Sequence, residues 1–157
     1  MAAGRQSPAI VVFEDELETQ KQRLLGFRRA LSNRNRELGP ASVFHVDRVT
    51  YEAGRQVTEQ ILRSDAHFDS IFYTSDILAI GGVQYLNEVH VSVPGDMALV
   101  GMDDIPSSRR ITPALTTVRQ QYRRFGALAA ESIIRMLEGR PVADLTLDVE
   151  LIERATV

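Results

Sequence analysis

The sequence contains no cysteine, and of its 18 basic residues only Lys21 is a lysine. The first absence excludes disulfides and thiolate metal sites and fits a reducing cytoplasm. The second leaves any chemistry that needs a lysine ammonium with one candidate. No apolar run approaches the ~18 residues needed to cross a bilayer, so membrane spanning is excluded. The opening "MAAGRQSP" is small and polar and lacks the apolar segment of a secretory signal; residues 1–8 read as a disordered leader. A basic excess is lacking too: the net charge is −3, which argues against the chain itself gripping a phosphate backbone. No Gly-x-Ser-x-Gly, Walker-type or Gly-x-Gly-x-x-Gly pattern occurs, and His45, His67 and His90 show no i, i+4 pairing of the kind a zinc site uses.

What is present is the composition of one soluble domain, 157 residues with 44% hydrophobic and 25% charged side chains. "AIVVF" (9–13) reads as a buried strand, and apolar Leu17, Leu24, Leu25, Phe27 and Leu31 mark a helix over about 16–34. A second strand (41–46) precedes a helix that Thr50 is expected to cap, with Ala53, Val57 and Ile61 on its inner face. A third strand (68–74) leads into a helix opened by Ser75 and Asp76, and "VPGD" turns the chain into a fourth strand (97–102). These strands are apolar without clean alternation, which predicts an α/β fold with a parallel sheet covered by helices on both faces. A long connection holding Pro106 and Pro113 then reaches "LTTVRQ", a helix over 122–138 ended by Gly139 and Pro141, and a last strand "LTLDVELIE" (145–153).

In an open parallel sheet, ligands bind outside the C-terminal strand ends. Four polar stretches arrive there: "FEDE", "VDR", "TSD" and "GMDDIP". Glu14, Asp15, Glu16 and Glu18 after the first strand are candidate ligands for a divalent metal, because hard cations want converging oxygens. Topology favours a functional reading of Asp103, whereas Asp104 reads as an Asx-turn starter before Pro106. Ser75 and Asp76 read as helix capping, which is compatible with ligand contact. Gly81 and Gly82 each cost roughly 1 kcal/mol against alanine inside a helix, so close packing is their expected reason. Arg23, taken on its own, reads as a solvated surface arginine.

Seven blocks then decide the resemblance: "RLLGFRRAL", "TYEAG", "SIFYTSDILAIGGVQYL", "VSVPGDMALVGMDDIP", "ITPALTTVRQ", "FGALAAESIIRMLEG" and "ELIERAT", in this order from Arg23 to Thr156. They resemble the C-terminal part of the LacI/GalR family of bacterial transcription regulators. The resemblance implies a three-layer, periplasmic-binding-protein-like sensor fold that closes on a small polar effector, a sugar or a nucleoside-like molecule. It implies a non-enzymatic, cofactor-free, metal-free homodimer in the cytoplasm, which reaches operator DNA through a helix-turn-helix that has no counterpart in this chain. It assigns effector contacts to Arg23, Ser75, Asp76, Asp103 and Tyr122. Serine at 75, where the family often has asparagine, removes one hydrogen-bonding arm and leaves the sugar open. On the same basis residues 9–118 form the C-terminal subdomain, 119–140 a crossing segment and helix belonging to the other subdomain, and 141–157 a returning strand. Family members are more than twice this length. The apolar stripe Leu128, Ile133, Ile134, Leu137 therefore lacks its native cover, and is expected to be covered by a neighbouring chain or to pack differently.

The alternative reading, a phospho-receiver or Mg-dependent phosphotransfer domain, uses the opening acids with Asp76 as phosphoacceptor. It lacks the lysine that such a site needs beyond Lys21.

Overall fold

The computed structural model describes residues 4–13 and 18–157. Six strands form one sheet in the order β2-β1-β3-β4-β5-β6, with β1 Pro8–Phe13, β2 Val43–Val46, β3 Ser70–Tyr73, β4 Ala98–Asp103, β5 Thr116–Arg119 and β6 Glu150–Ile152. The first five are parallel, and β6 returns antiparallel to β5. The sheet is thus mixed, with its parallel part as the sequence predicts.

Successive side chains of a strand point to opposite faces, so each parallel strand feeds two cores. Ala9, Val11, Ile71, Tyr73 and Leu99 turn to one side, where α2 (Tyr51–Arg63) and α3 (Asp76–Glu88) close over them with Val57, Ile61, Leu78 and Leu86. Ile10 and Phe72 occupy the alternate register, and Phe72 stacks on Phe27 of α1 (Glu18–Ser32) with ring centroids 5.6 Å apart. The expected caps are present. Thr50 accepts from the Ala53 amide at 3.1 Å and Ser75 from the Ile77 amide at 3.3 Å, each meeting an N–H that the first helical turn leaves free.

Gly54 and Gly81 have one explanation between them. A Cβ on Gly54 would stand 2.1 Å from the Leu78 carbonyl oxygen, and one on Gly81 only 2.0 Å from that of Tyr51. The backbones of α2 and α3 touch, and only glycine allows it. Gly82 faces the sheet, where a Cβ would meet the Tyr73 hydroxyl at 2.4 Å. That hydroxyl is completely buried and satisfied by Thr58 Oγ1 at 2.7 Å.

Two expectations need revising. Residues 145–149 lie outside any strand, because among the described residues β6 pairs only with β5 and no strand flanks 145–149 to complete a ladder. In the segment read as a leader, Arg5, Gln6 and Ser7 are tied down: Asp69 accepts from the amides of Gln6 and Ser7, while Arg5 donates to the carbonyls of Pro94, Gly95 and Asp96. Composition gave no sign of this, because the partners lie about sixty to ninety residues away. The last helix, α4 (Tyr122–Leu137), buries none of its residues, and Leu137 is 83% exposed. Gly139 ends it at φ 69°.

Candidate functional site

The C-terminal edge of the sheet gathers the ends of β3, β4 and β5. β4 ends in Asp103 and is followed by Asp104, and both have positive φ, 123° and 53°. Left-handed backbone at two consecutive non-glycine residues costs of order 1–3 kcal/mol each and persists only when the surroundings enforce it. Here it sends the two carboxylates to separate sets of partners.

Asp103 lies at the C-terminal edge of the sheet. Its Oδ1 accepts from the Tyr122 hydroxyl at 2.7 Å and from Gln120 Nε2 at 2.8 Å, while Ser75 Oγ approaches Oδ2 at 3.4 Å. Burial pushes the Asp103 carboxyl above its ordinary value. The Tyr122 hydrogen bond and the charge of Arg23 pull it back without cancelling the rise. Arg23, on α1, donates Nη1 to the Thr74 carbonyl at 3.0 Å, which anchors its guanidinium over the end of β3. Tyr122 is 54% exposed and contributes both an aromatic face and a hydroxyl. Its phenol is raised by burial first and by Asp103 second, so it is a protonated donor at neutral pH.

Asp76 behaves differently. It is 0% exposed, and its oxygens accept from Thr117 Oγ1 at 2.5 Å, Ser108 Oγ at 2.6 Å and the Ile105 amide at 3.0 Å. Gly101 makes room for it, since a Cβ there would lie 2.2 Å from Asp76 Oδ1. Arg23, Ser75, Asp103 and Tyr122 are therefore brought together at the strand ends, and Asp76 lies beneath them with its carboxylate spent on the 105–117 connection. The phospho-receiver reading loses its acceptor, because a carboxylate so enclosed has no free oxygen to offer. Glu14, Asp15, Glu16 and Leu17 lie outside the described residues.

Sequence reasoning missed two features. Gln120 sits one residue past β5 and bridges Asp103 and Tyr122. Asp104, read as a turn starter, has a side chain only 2% exposed and takes three arginines: Arg109 at 3.0 Å and Arg119 at 2.7 Å on Oδ2, and Arg154 on Oδ1. Burial raises its carboxyl, but the hydrogen bonds from Arg154, Arg119 and Arg109 outweigh this and hold it down to about 2. The available signal was the doubled acid at a buried strand end, a position where a carboxylate needs cations from elsewhere in the chain.

All 157 residues match the periplasmic binding protein-like domain. The chain belongs to this family, as the effector-binding region of a LacI-type regulator. The LacI-type domain is 31% identical over 122 residues to the HTH-type transcriptional repressor PurR of Aliivibrio salmonicida, covering 78% of this chain and 36% of that protein. It is 34% identical over 106 residues to the lactose operon repressor of Rhizobium radiobacter, covering 67% of this chain and 94% of that one. Among solved structures, a sugar-binding transcriptional regulator of the LacI family from Escherichia coli, complexed with phosphate, superposes with a TM-score of 0.90 at 26% identity. That match covers 98% of the LacI-type domain and 55% of the other chain. The domain thus spans roughly a third to a half of most of the curated relatives it matches.

Proposed function

We propose that this domain senses a small polyhydroxylated effector, a sugar or a nucleoside-like molecule, at the C-terminal edge of its sheet. The observation that carries the reading is the convergence of Arg23, Asp103, Gln120 and Tyr122 at one mouth of the sheet. A carboxylate and a guanidinium present acceptors and a planar fork of donors to adjacent hydroxyls, and an aromatic face suits the apolar side of a sugar ring. Ser75 lies at the same edge, and Asp76 acts from below by fixing the 105–117 connection that shapes the site. The structural likeness to the sugar-binding regulator of Escherichia coli supports the same class of ligand.

Function beyond binding follows from the bare helix. The apolar face of α4 is the surface a second subdomain would cover, and closure of two such bodies on a ligand shifts the balance between conformations. In the complete regulator that balance would set the affinity of a separate helix-turn-helix for operator DNA, in a cytoplasmic homodimer without catalysis. The repressor names of the relatives support this.

Isothermal titration of the chain and of Asp103→Ala against pentoses, hexoses, disaccharides and nucleosides tests the reading. Heat from at least one ligand, abolished by the substitution, is expected. Heat from none of them would remove the sensor assignment.

A further inference from the structure

Resting on that reading, the geometry around Asp103 points to a further role: we infer that Tyr122 is an internal stand-in for the effector. Its hydroxyl occupies the carboxylate and thereby pins the first turn of α4. A hydroxyl of the ligand then has to displace it.

Three observations carry this. Tyr122 and Gln120 both donate to the same oxygen of Asp103, at 2.7 and 2.8 Å, while among the described residues Oδ2 has only the long 3.4 Å approach of Ser75. The oxygen with the better acceptor geometry is thus already filled by groups that mimic a ligand's donors. Second, Tyr122 is the first residue of a helix that buries none of its own residues. Its hydroxyl is therefore a principal tie between that helix and the sheet. Third, the residue just below is fixed independently: Arg119 donates Nε to Asp104 at 2.7 Å and Nη1 to Glu150 at 3.0 Å. The break between a held strand end and a releasable helix falls at Gln120 and Gln121. Gln121 makes no side-chain capping bond to α4, and its Nε2 donates instead to the Asp148 carbonyl at 2.9 Å, outside the sheet, so the helix start is tied to the strand ends through Tyr122 and Gln120.

The competition sets specificity as well. An incoming group has to replace two donors on a carboxylate oxygen, which selects hydroxyl- or amine-bearing ligands and rejects those that offer an anion at this position. Once displaced, the phenol ring is free to stack on the ligand that displaced it.

The test begins without ligand, by NMR-detected amide hydrogen exchange on the whole chain. In Tyr122→Phe the Phe125 and Gly126 amides are expected to exchange roughly threefold to tenfold faster than in wild type, the size of one lost charge-assisted hydrogen bond at a half-exposed site. Val118 and Arg119 should be unchanged. Equal rates at Phe125 and Gly126 in the two proteins would overturn the inference. D-ribose, D-glucose and D-galactose are then titrated into both proteins. Tighter binding by Tyr122→Phe, which keeps the ring and loses the competitor, is expected; equal or weaker binding would show that the hydroxyl is a contact and not a competitor. If α4 loosens in the variant and neither protein binds any of the three sugars, the pinning role stands and the sugar assignment fails.

Discussion

Asp104 and Arg154 are fifty residues apart in the chain and meet carboxylate to guanidinium at the edge of the sheet. The contact joins the end of β4 to the second residue beyond β6, and Arg154 also donates to the Leu115 carbonyl at 2.7 Å. With Arg119 on the same carboxylate, the two segments that flank α4 are fastened to one side chain. Asp104→Asn leaves Arg154 without its counter-charge, while Arg119 keeps Glu150 and Arg109 turns to solvent. A loss of about 2 to 4 kcal/mol in urea unfolding is expected, toward the lower side of a broken buried pair.

The same carboxylate predicts an acid transition. Its folded value of about 2 lies below the ordinary 3.8, so it contributes stability that is fully present above about pH 4 and lost as pH falls toward 2. Asp69, also lowered in spite of its burial through the Gln6, Ser70 and Ser7 hydrogen bonds, acts in the same direction. Urea midpoints measured from pH 6 to pH 2 should fall steeply for the wild type and less steeply for Asp104→Asn. Parallel curves would show that the arginine cluster contributes nothing in this range.

Asp103 has the opposite sign. Its carboxyl is raised in the folded state, so the fold holds that proton more tightly than the unfolded chain does. In its ionised form it opposes folding, and stability from this group is regained as pH falls through the raised value. Asp103→Asn is therefore expected to unfold at a higher midpoint than wild type at pH 7, with the gap closing as the pH is lowered, and to lose effector binding. A residue that weakens the fold while serving the ligand is the usual exchange at a binding site.

The meeting of α2 and α3 gives a test of packing alone. Gly81→Ala would place a methyl 2.0 Å from the Tyr51 carbonyl oxygen, backbone that cannot step aside without moving the helix. About 2 to 3 kcal/mol of destabilisation is expected by thermal or urea unfolding, against the roughly 1 kcal/mol gain that alanine gives in an open helix.

On α4, Phe125, Ile133, Ile134, Met136 and Leu137 are all more than half exposed. A patch of that kind seeks cover. The isolated chain is expected to self-associate in sedimentation velocity, and Ile134→Glu with Leu137→Glu to shift it toward monomer. A wild-type chain that stays monomeric at every concentration would contradict this.

Most of the framework was legible because it rests on local rules. Hydrophobic runs placed β1, β3 and β4, Thr50 and Ser75 announced their helices, and the two inner-helix glycines pointed to close approach, although not to α2 as the partner of Gly81. The site was half legible. Strand-end topology marked Asp103, and the family resemblance supplied Arg23 and Tyr122, which residue pattern alone would have left on the surface. What stayed hidden depends on pairs distant in sequence: Thr117 and Ser108 filling the Asp76 carboxylate, and Arg119 and Arg154 converging on Asp104. Nothing local distinguishes an acid that meets Tyr122 and Gln120 at the open strand end from its neighbour that faces three arginines. The positive φ at both positions, which separates them, is itself imposed by those distant contacts.

The most direct test of the sensor assignment is a two-dimensional amide titration of the whole chain with sugars and nucleosides, following Thr74 to Asp76, Asp103 and Gln120 to Tyr122. Saturable shifts confined to those amides for at least one ligand, and absent in Asp103→Ala, are the expected result. Shifts scattered elsewhere, or none at these residues for any ligand, would contradict it.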